Sequence, residues 1–118
     1  MANRCAVFQT TSFIGKRWTL LILLELYKGK QHKRFTELKK SIPGITPKIL
    51  SSRLKELQKE GLISNSIDST EIPVKSIYCL SDSGKDFMKI IRDMKNWSVR
   101  WKKQSRNCEK TDCKTCKL

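Results

Sequence analysis

Apolar residues recur at helical spacing over Phe35–Ile42 and again over Thr46–Glu60, with the helix-breaking pair Pro43-Gly44 between the two stretches. In the second stretch an apolar residue returns every three or four positions, which predicts an amphipathic helix with one buried stripe. That stripe consists of Leu50, Leu54 and Leu57. A short helix, a tight turn and a second amphipathic helix together predict a helix-turn-helix.

The ends of the second helix carry their own signals. Thr46 is an N-cap residue, and Pro47 takes the first helical position, where a missing N–H costs nothing. Ile45 and Leu50 stand where a hydrophobic staple forms across a helix start. Gly61 follows as the C-terminal stop. The sequence therefore predicts both the start and the end of this helix.

Three further helices are predicted. One runs from about Cys5 to Phe13, and another covers the apolar run Trp18–Tyr27, which Gly29 closes. The latter is apolar on nearly all sides, which is typical of a central buried helix. The last helix begins near Ser81 and carries an apolar stripe at helical spacing: Phe87, Ile90, Ile91, Met94, Trp97 and Trp101.

Two segments after the helix-turn-helix alternate as strands do. Leu62–Asp68 alternates loosely and Val74–Leu80 more regularly, so we predict a two-stranded hairpin. Pro73 fits the edge of such a hairpin, and Cys79 is assigned to its inner, core-facing side. Gln31–Arg34 is a short polar connection or one small strand. The predicted fold is a mainly α, α+β winged helix-turn-helix with an extra N-terminal helix and a long C-terminal dimerisation helix.

The charge balance changes the functional picture. The 118 residues carry 25 Lys and Arg against 11 Asp and Glu, a net charge of +14, which indicates a polyanionic partner. The length suits one domain, which we assign to residues 1–107, with a basic, cysteine-rich tail at 108–118. The apolar run Trp18–Tyr27 is shorter than the ~20 residues of a membrane helix. We therefore expect a cytoplasmic protein that does not use a membrane.

The far side of the second helix supplies the expected DNA contacts. At a 100° step per residue, Lys48, Ser52 and Lys55 lie nearly opposite the leucine stripe. The N-terminal half of such a helix usually enters the major groove. Lys16, Arg17 and Lys33 are candidate phosphate contacts together with Arg34. The full predicted DNA-binding set is Arg34, Thr46, Lys48, Ser51, Ser52, Arg53, Lys55 and Lys75.

Arg53 lies at the flank of the leucine stripe, where backbone contact or internal packing suits it better than base readout. No catalytic set is visible in the sequence, so we do not expect an enzyme. The alternative to a sequence-specific regulator is a non-specific nucleic-acid-binding protein of architectural or RNA-binding type, for which the same charge would serve. Preference for one palindromic duplex over random DNA at fixed salt separates the two.

The last helix needs a surface to cover its apolar stripe. It either folds back on its own domain or pairs with the same helix of a second subunit, and a two-fold homodimer would bury both stripes at once. The residues predicted to form that interface are Phe87, Ile91, Met94, Trp97 and Trp101.

Five cysteines in an intracellular chain are thiols, metal ligands or redox sensors rather than a structural disulfide framework. Cys108, Cys113 and Cys116 lie in the basic tail, and Cys5 opens the first helix. Three interpretations stay open: an inert tail, a thiol–disulfide switch, and a zinc site that combines the tail thiolates with Cys5 or His32. We expect no other cofactor.

The chain resembles the HxlR family of winged-helix transcriptional regulators, relatives of the MarR group, from Cys5 to about Trp101. The matching motifs begin with Ile14-Gly15-Lys16-Arg17-Trp18 and Arg34-Phe35-Thr36-Glu37-Leu38. They continue with Ile42-Pro43-Gly44-Ile45-Thr46, Gly61-Leu62-Ile63, and Pro73 with Tyr78, Leu80 and Gly84. Ala6, Asn65 and Ile77 depart from the usual pattern, the last two in the wing.

The resemblance implies a homodimer whose first and last helices form the interface, bound to double-stranded DNA. It also implies that the N-terminal cysteine, here Cys5, acts as a redox sensor that pairs with a thiol of the partner subunit. Cys108 is the expected partner thiol, because it is the tail cysteine nearest the end of the last helix.

Overall fold

The computed structural model describes residues 4–70, 72, 75–102 and 112–116. The helices are α1 (Ala6–Ile14), α2 (Thr19–Tyr27), α3 (Phe35–Ser41), α4 (Pro47–Lys59) and α5 (Asp82–Trp101). The strands are β1 (Lys33–Arg34), β2 (Ile63–Asp68) and β3 (Lys75–Leu80), and a short 3-10 turn covers Cys113–Thr115. The predicted α+β class is confirmed. The predicted boundary between residues 107 and 108 and the position of Pro73 lie outside the described residues.

Helix α2 lies at the centre of the core. Ile22, Leu23 and Leu26 are fully buried, and α2 packs against α1, α3, α4, α5 and β3. Leu21 is 48% exposed, so the burial covers most sides of the helix, as its apolar composition predicts. No helix in the described ranges is both long enough and apolar enough to cross a membrane.

The two helices of the helix-turn-helix begin and end close to the predicted residues. The hydroxyl oxygen of Thr46 accepts a hydrogen bond from the Ile49 N–H at 3.2 Å, and Pro47 is the first helical residue. Leu50, Leu54 and Leu57 are all buried, and so is Ile45 before the cap. Gly61 takes a left-handed φ of 85° just after the helix, the conformation that favours glycine at this position.

The sheet has three antiparallel strands in the order β1-β3-β2. β2 and β3 form the predicted hairpin, with Ile63 opposite Leu80. The short connection before α3 adds the third strand, because Lys33 pairs with Tyr78 and Arg34 with Ile77. The start of the helix-turn-helix is thus bonded directly to the hairpin.

The hairpin places Cys79 on the face opposite to the predicted one. Leu80 is buried and Tyr78 packs against the core, so the residue between them points away, since successive strand side chains alternate. Cys79 is half-buried there, with its Sγ 3.0 Å from the Oγ of Ser64. The core assignment of Cys79 was wrong because Ile77–Leu80 is apolar in both phases of the alternation.

Trp18 lies just before α2 rather than in it. Its φ of 82° is the only positive value on a non-glycine residue in the described part of the chain. A left-handed backbone costs such a residue roughly 1–2 kcal/mol. This conformation places the indole ring against Gly44, in the turn between α3 and α4. A Cβ atom added to Gly44 would lie 3.4 Å from Cη2 of the ring.

The start of α5 packs tightly against the end of the helix-turn-helix. Ser81 caps α5 by accepting a hydrogen bond from the Gly84 N–H at 3.2 Å, and the Ser81 N–H donates to the Leu62 carbonyl at 2.9 Å. A Cβ on Gly84 would lie only 2.1 Å from that same carbonyl oxygen. The backbone of α5 can therefore approach the Leu62 carbonyl this closely only because residue 84 is glycine.

Gly84→Ala should destabilise the protein by about 3 kcal/mol, the upper range for overpacking, because the added methyl group meets backbone rather than a flexible side chain. Lys85→Ala, at an exposed neighbouring position, should stay within about 0.5 kcal/mol of wild type. Chemical denaturation measures both. Equal unfolding free energies for the two variants would contradict the packing described here.

Candidate nucleic-acid interface

Helix α4 presents a continuous exposed face to solvent. Lys48, Ser52, Lys55 and Lys59 are exposed and Ser51 is half-buried, while the leucine stripe behind them is buried. The helix is thus divided as predicted into an inner apolar side and an outer side of ammonium and hydroxyl groups. Thr46 is also exposed, and its hydroxyl oxygen serves the helix cap.

Arg53 ties α4 to the segment before α2. Its Nε donates a hydrogen bond to the Arg17 carbonyl at 3.2 Å, and the Arg17 guanidinium lies 4.7 Å from the centroid of the Trp18 ring. Trp18 in turn meets the turn at Gly44. This chain of contacts makes Arg53 a residue that positions α4, in agreement with the internal packing expected from its place at the flank of the stripe.

Two predicted phosphate contacts have other roles in the structure. Lys16 forms an ion pair with Glu56 at 2.6 Å. Lys33 is buried, and its Nζ donates to the carbonyls of Lys28 and Lys30. Burial lowers the pKa of Lys33, and the prediction that it contacts phosphate was wrong. The two acceptor carbonyls belong to the connection between α2 and β1, and no sequence pattern marked this contact.

Arg34 and Lys75 line the same cleft. Arg34 ends β1, Lys75 begins β3, and the space between them has a volume of about 380 Å³. We call it the wing cleft; its lining is Arg34, Phe35, Thr36, Lys75, Ser76 and Tyr78. The fold therefore brings together two residues of the predicted DNA-binding set that lie far apart in the sequence. Thr36 and Ser76 add hydroxyl donors that the sequence analysis missed.

The start of α3, beside the wing cleft, is held by Glu37. One carboxylate oxygen accepts from the Arg34 N–H at 3.1 Å, and the other lies 2.8 Å from the Lys30 ammonium. The hydrogen bonds from Lys30 and from the Arg34 backbone lower the pKa of Glu37. The carboxylate thereby fixes the residue that ends β1.

Helix α5 has two different apolar sides. Met88 and Ile91 are buried in the core and Phe87 packs partly against it. On the other side Ile90, Met94, Trp97 and Trp101 are exposed, Trp97 by 57% and Trp101 by 68%. Ile91 is therefore a core residue, which corrects its prediction as an interface residue. Met88 was missed because the exposed stripe is the longer one.

The exposed side of α5 continues onto α1. Val7 and Ile90 line one groove of about 310 Å³ between the two helices, and Val7 is 70% exposed. We call the exposed set the apolar face: Val7, Ile90, Met94, Trp97 and Trp101. Phe8 is exposed on α1 as well. Val7, Phe8 and Ile90 were absent from the predicted interface set.

The described cysteines lie in different parts of the fold. Cys5 is exposed directly before α1, whereas Cys113 and Cys116 are half-buried at the start and just after the end of the short 3-10 turn. Within the described ranges no three His, Cys, Asp or Glu side chains lie close enough to share a metal ion. Cys108, which was predicted as a zinc ligand or as a redox-active thiol, lies outside those ranges.

Residues 13–106 match the HxlR-like helix-turn-helix family. The chain belongs to this family. Among the HTH-type transcriptional regulators of Bacillus subtilis, YdzF is 43% identical over 90 residues, which cover 76% of this chain and 81% of YdzF. YodB is 38% identical over 87 residues, which cover 74% of this chain and 75% of YodB.

Solved structures show the same winged-helix architecture as this HxlR-like chain. The reduced form of YodB aligns with a TM-score of 0.71 and 33% identity over 93% of this chain and 100% of YodB. The redox regulator HypR in its reduced form gives a TM-score of 0.68 and 28% identity over 81% of this chain and 92% of HypR. YodB structures also include a diamide-treated and a quinone-bound form. The chain is thus a helix-turn-helix transcriptional regulator with redox-sensing relatives.

Proposed function

We propose that this regulator acts in the cytoplasm as a homodimer that binds a palindromic DNA operator in a sequence-specific manner. The observation that carries the proposal is the outer side of α4, where Lys48, Ser52 and Lys55 are exposed on the side opposite a buried leucine stripe. A helix in this position inserts its N-terminal half into the major groove. Lys48, Ser51 and Ser52 lie in that half.

The chemistry of these side chains suits base edges. A lysine ammonium donates to guanine O6 and N7, and a serine hydroxyl pairs with either donors or acceptors. Lys55 lies one turn further along and suits a backbone phosphate. Arg53 supports the helix through the Arg17 carbonyl, so its removal would tilt α4 rather than delete one base contact.

The wing cleft supplies contacts of another kind. Arg34 and Lys75 line it together with the hydroxyl-bearing side chains of Thr36, Ser76 and Tyr78. These groups suit phosphate oxygens, which carry no base sequence. With a net charge of +14, much of the binding free energy should come from released counterions.

The apolar face supports the homodimer. Two exposed tryptophans on one helix side are a typical anchor of a protein interface, and a two-fold axis would bury the same face of both subunits at once. Two recognition helices related by that axis then match two half-sites of opposite orientation.

We further propose that oxidation links Cys5 to Cys108 of the partner subunit. Cys5 is exposed at the start of α1, the helix that contributes Val7 to the apolar face. The comparison with the redox regulator HypR and with diamide-treated YodB supports a thiol-based response. Such a bond would appear as a covalent dimer that a reductant separates, and that Cys5→Ser abolishes.

Replacing Lys48 and Ser52 by alanine should remove sequence preference, at a cost of about 1–3 kcal/mol per contact on the preferred operator only. Arg34→Ala and Lys75→Ala should instead weaken all duplexes alike and lower the log–log salt slope by about 0.9 each. Fluorescence anisotropy on operator and random duplexes over a salt series measures both effects.

Lys59→Ala, exposed in the last turn of the same helix, is the matched control and should leave the ratio of operator to random affinity unchanged. If the Lys48 and Ser52 variants keep that ratio as well, α4 does not read bases. A wild-type protein without any operator preference would favour a non-specific nucleic-acid-binding protein instead.

Truncating Trp97 and Trp101 to alanine should yield monomers in sedimentation velocity, because each loses roughly 3–5 kcal/mol of packing when buried. Both side chains are exposed in the single subunit, so the variant should keep the wild-type helix content, although its thermal unfolding should lose the stabilisation that association supplies. Arg92→Ala, an exposed position on another side of α5, should remain dimeric. A double tryptophan variant with an unaltered dissociation constant would rule out the apolar face as the interface.

A further inference from the structure

The tail returns to the domain and docks on α2. The Lys114 carbonyl accepts a hydrogen bond from the Gly29 N–H at 3.0 Å, just beyond the end of α2. Asp112 holds the turn itself, because its side chain accepts from the Lys114 N–H at 3.0 Å and its carbonyl accepts from the Thr115 N–H at 3.1 Å. We call residues 112–116 the tail turn.

The tail turn has a cysteine at its first helical residue and another at its C-cap. Cys113 and Cys116 are three residues apart, and the Cys116 N–H donates to the Cys113 carbonyl at 3.4 Å. In a 3-10 turn the side chains at i and i+3 eclipse one another, and three rises of about 2.0 Å separate their Cα atoms by about 6 Å. Disulfides usually span Cα separations of about 4.4–6.8 Å. Both residues are present as thiols in half-buried positions.

We infer that Cys113 and Cys116 form a local redox-active dithiol in each subunit, oxidised by small disulfides to a bond that closes the tail turn. A thiolate of one cysteine attacks the small disulfide and releases one thiolate, which leaves a mixed disulfide on the protein. The second cysteine, as thiolate, attacks the protein sulfur and releases the other half. Two protein thiols are oxidised and one small disulfide is reduced to two thiols.

This site is separate from the proposed bond between Cys5 and Cys108. The local pair stays within one subunit and needs neither the dimer nor DNA, so it goes beyond the proposed function. Its consequence lies at α2: closing the tail turn reduces the freedom of the segment whose carbonyl bonds Gly29. The Gly29 N–H should therefore exchange with solvent more slowly in the oxidised protein.

The sequence makes the bond directly measurable. Trypsin cuts after Lys114, between the two cysteines, so peptides 111–114 and 115–117 remain joined only by a disulfide. Full-length Cys5→Ser protein is treated with oxidised glutathione, alkylated, digested and analysed by mass spectrometry. Equal amounts of 15N-labelled and unlabelled protein are mixed beforehand to separate bonds within and between subunits.

We expect the disulfide-joined peptide pair to be either fully labelled or fully unlabelled, and the protein to run as a monomer on a non-reducing gel. Hydrogen exchange at Gly29 should be slower than in the matched Cys116→Ser variant. Full alkylation of Cys113 and Cys116, or their linkage to Cys108 or to another subunit, would overturn the inference. Unchanged exchange at Gly29 despite the bond would overturn its link to α2. Operator binding by the reduced protein is independent of these outcomes, so failure here leaves the DNA-binding proposal to its own test.

Discussion

The burial of α2 is the constraint on which the rest of the structure depends. A nine-residue helix that is apolar on nearly all sides must be covered over most of its surface, and α1, α3, α4, α5, β3 and the tail turn each pack against it. Each fully buried leucine or isoleucine contributes about 1.5–3 kcal/mol, so the helix holds these elements in one arrangement. The orientation of α4, and with it the exposed lysine and serine side, follows from the leucine stripe that α4 turns toward this core.

Two exposed surfaces remain after that core is complete, and they have opposite physical character. The outer side of α4 and the wing cleft are basic, whereas the apolar face on α1 and α5 is hydrophobic. Two subunits of net charge +14 repel each other, and burial of the apolar face must exceed this repulsion for a dimer to form. Added salt screens the repulsion between subunits but also weakens attraction to phosphate. Salt therefore acts in opposite directions on association and on DNA binding.

The elements that the sequence predicted well are those bounded by residues with special backbone chemistry. Pro43-Gly44, Pro47 and Gly61 mark the helix-turn-helix because few other residues suit those backbone positions, and the structure begins and ends α4 within a residue of the prediction. Ser81 marked the start of α5 in the same way.

Errors arose where a tertiary contact overrides a local pattern. Trp18 lies before α2 and not inside it because its ring packs at Gly44. The spacing of apolar residues along the chain cannot predict such a contact. Lys33 is buried with its ammonium bonded to the carbonyls of Lys28 and Lys30, in the connection that follows α2. Ile91 and Met94 belong to the same predicted apolar stripe of α5. Ile91 is buried and Met94 is exposed because only one side of α5 packs on the core. Cys79 shows the same ambiguity in a strand, where both phases of the alternation were apolar.

The central claim is that one dimer places two recognition helices in successive major grooves on one side of DNA. An operator selected from random duplexes can be varied by inserting about half a helical turn between its half-sites, which moves one half-site to the opposite side of the duplex. Half-sites about 34–36 Å apart fit such a dimer. We predict that at fixed salt this insertion lowers affinity by orders of magnitude, to the level of random DNA, and that a full-turn insertion weakens binding less. Equal affinity for all three spacings would contradict the account.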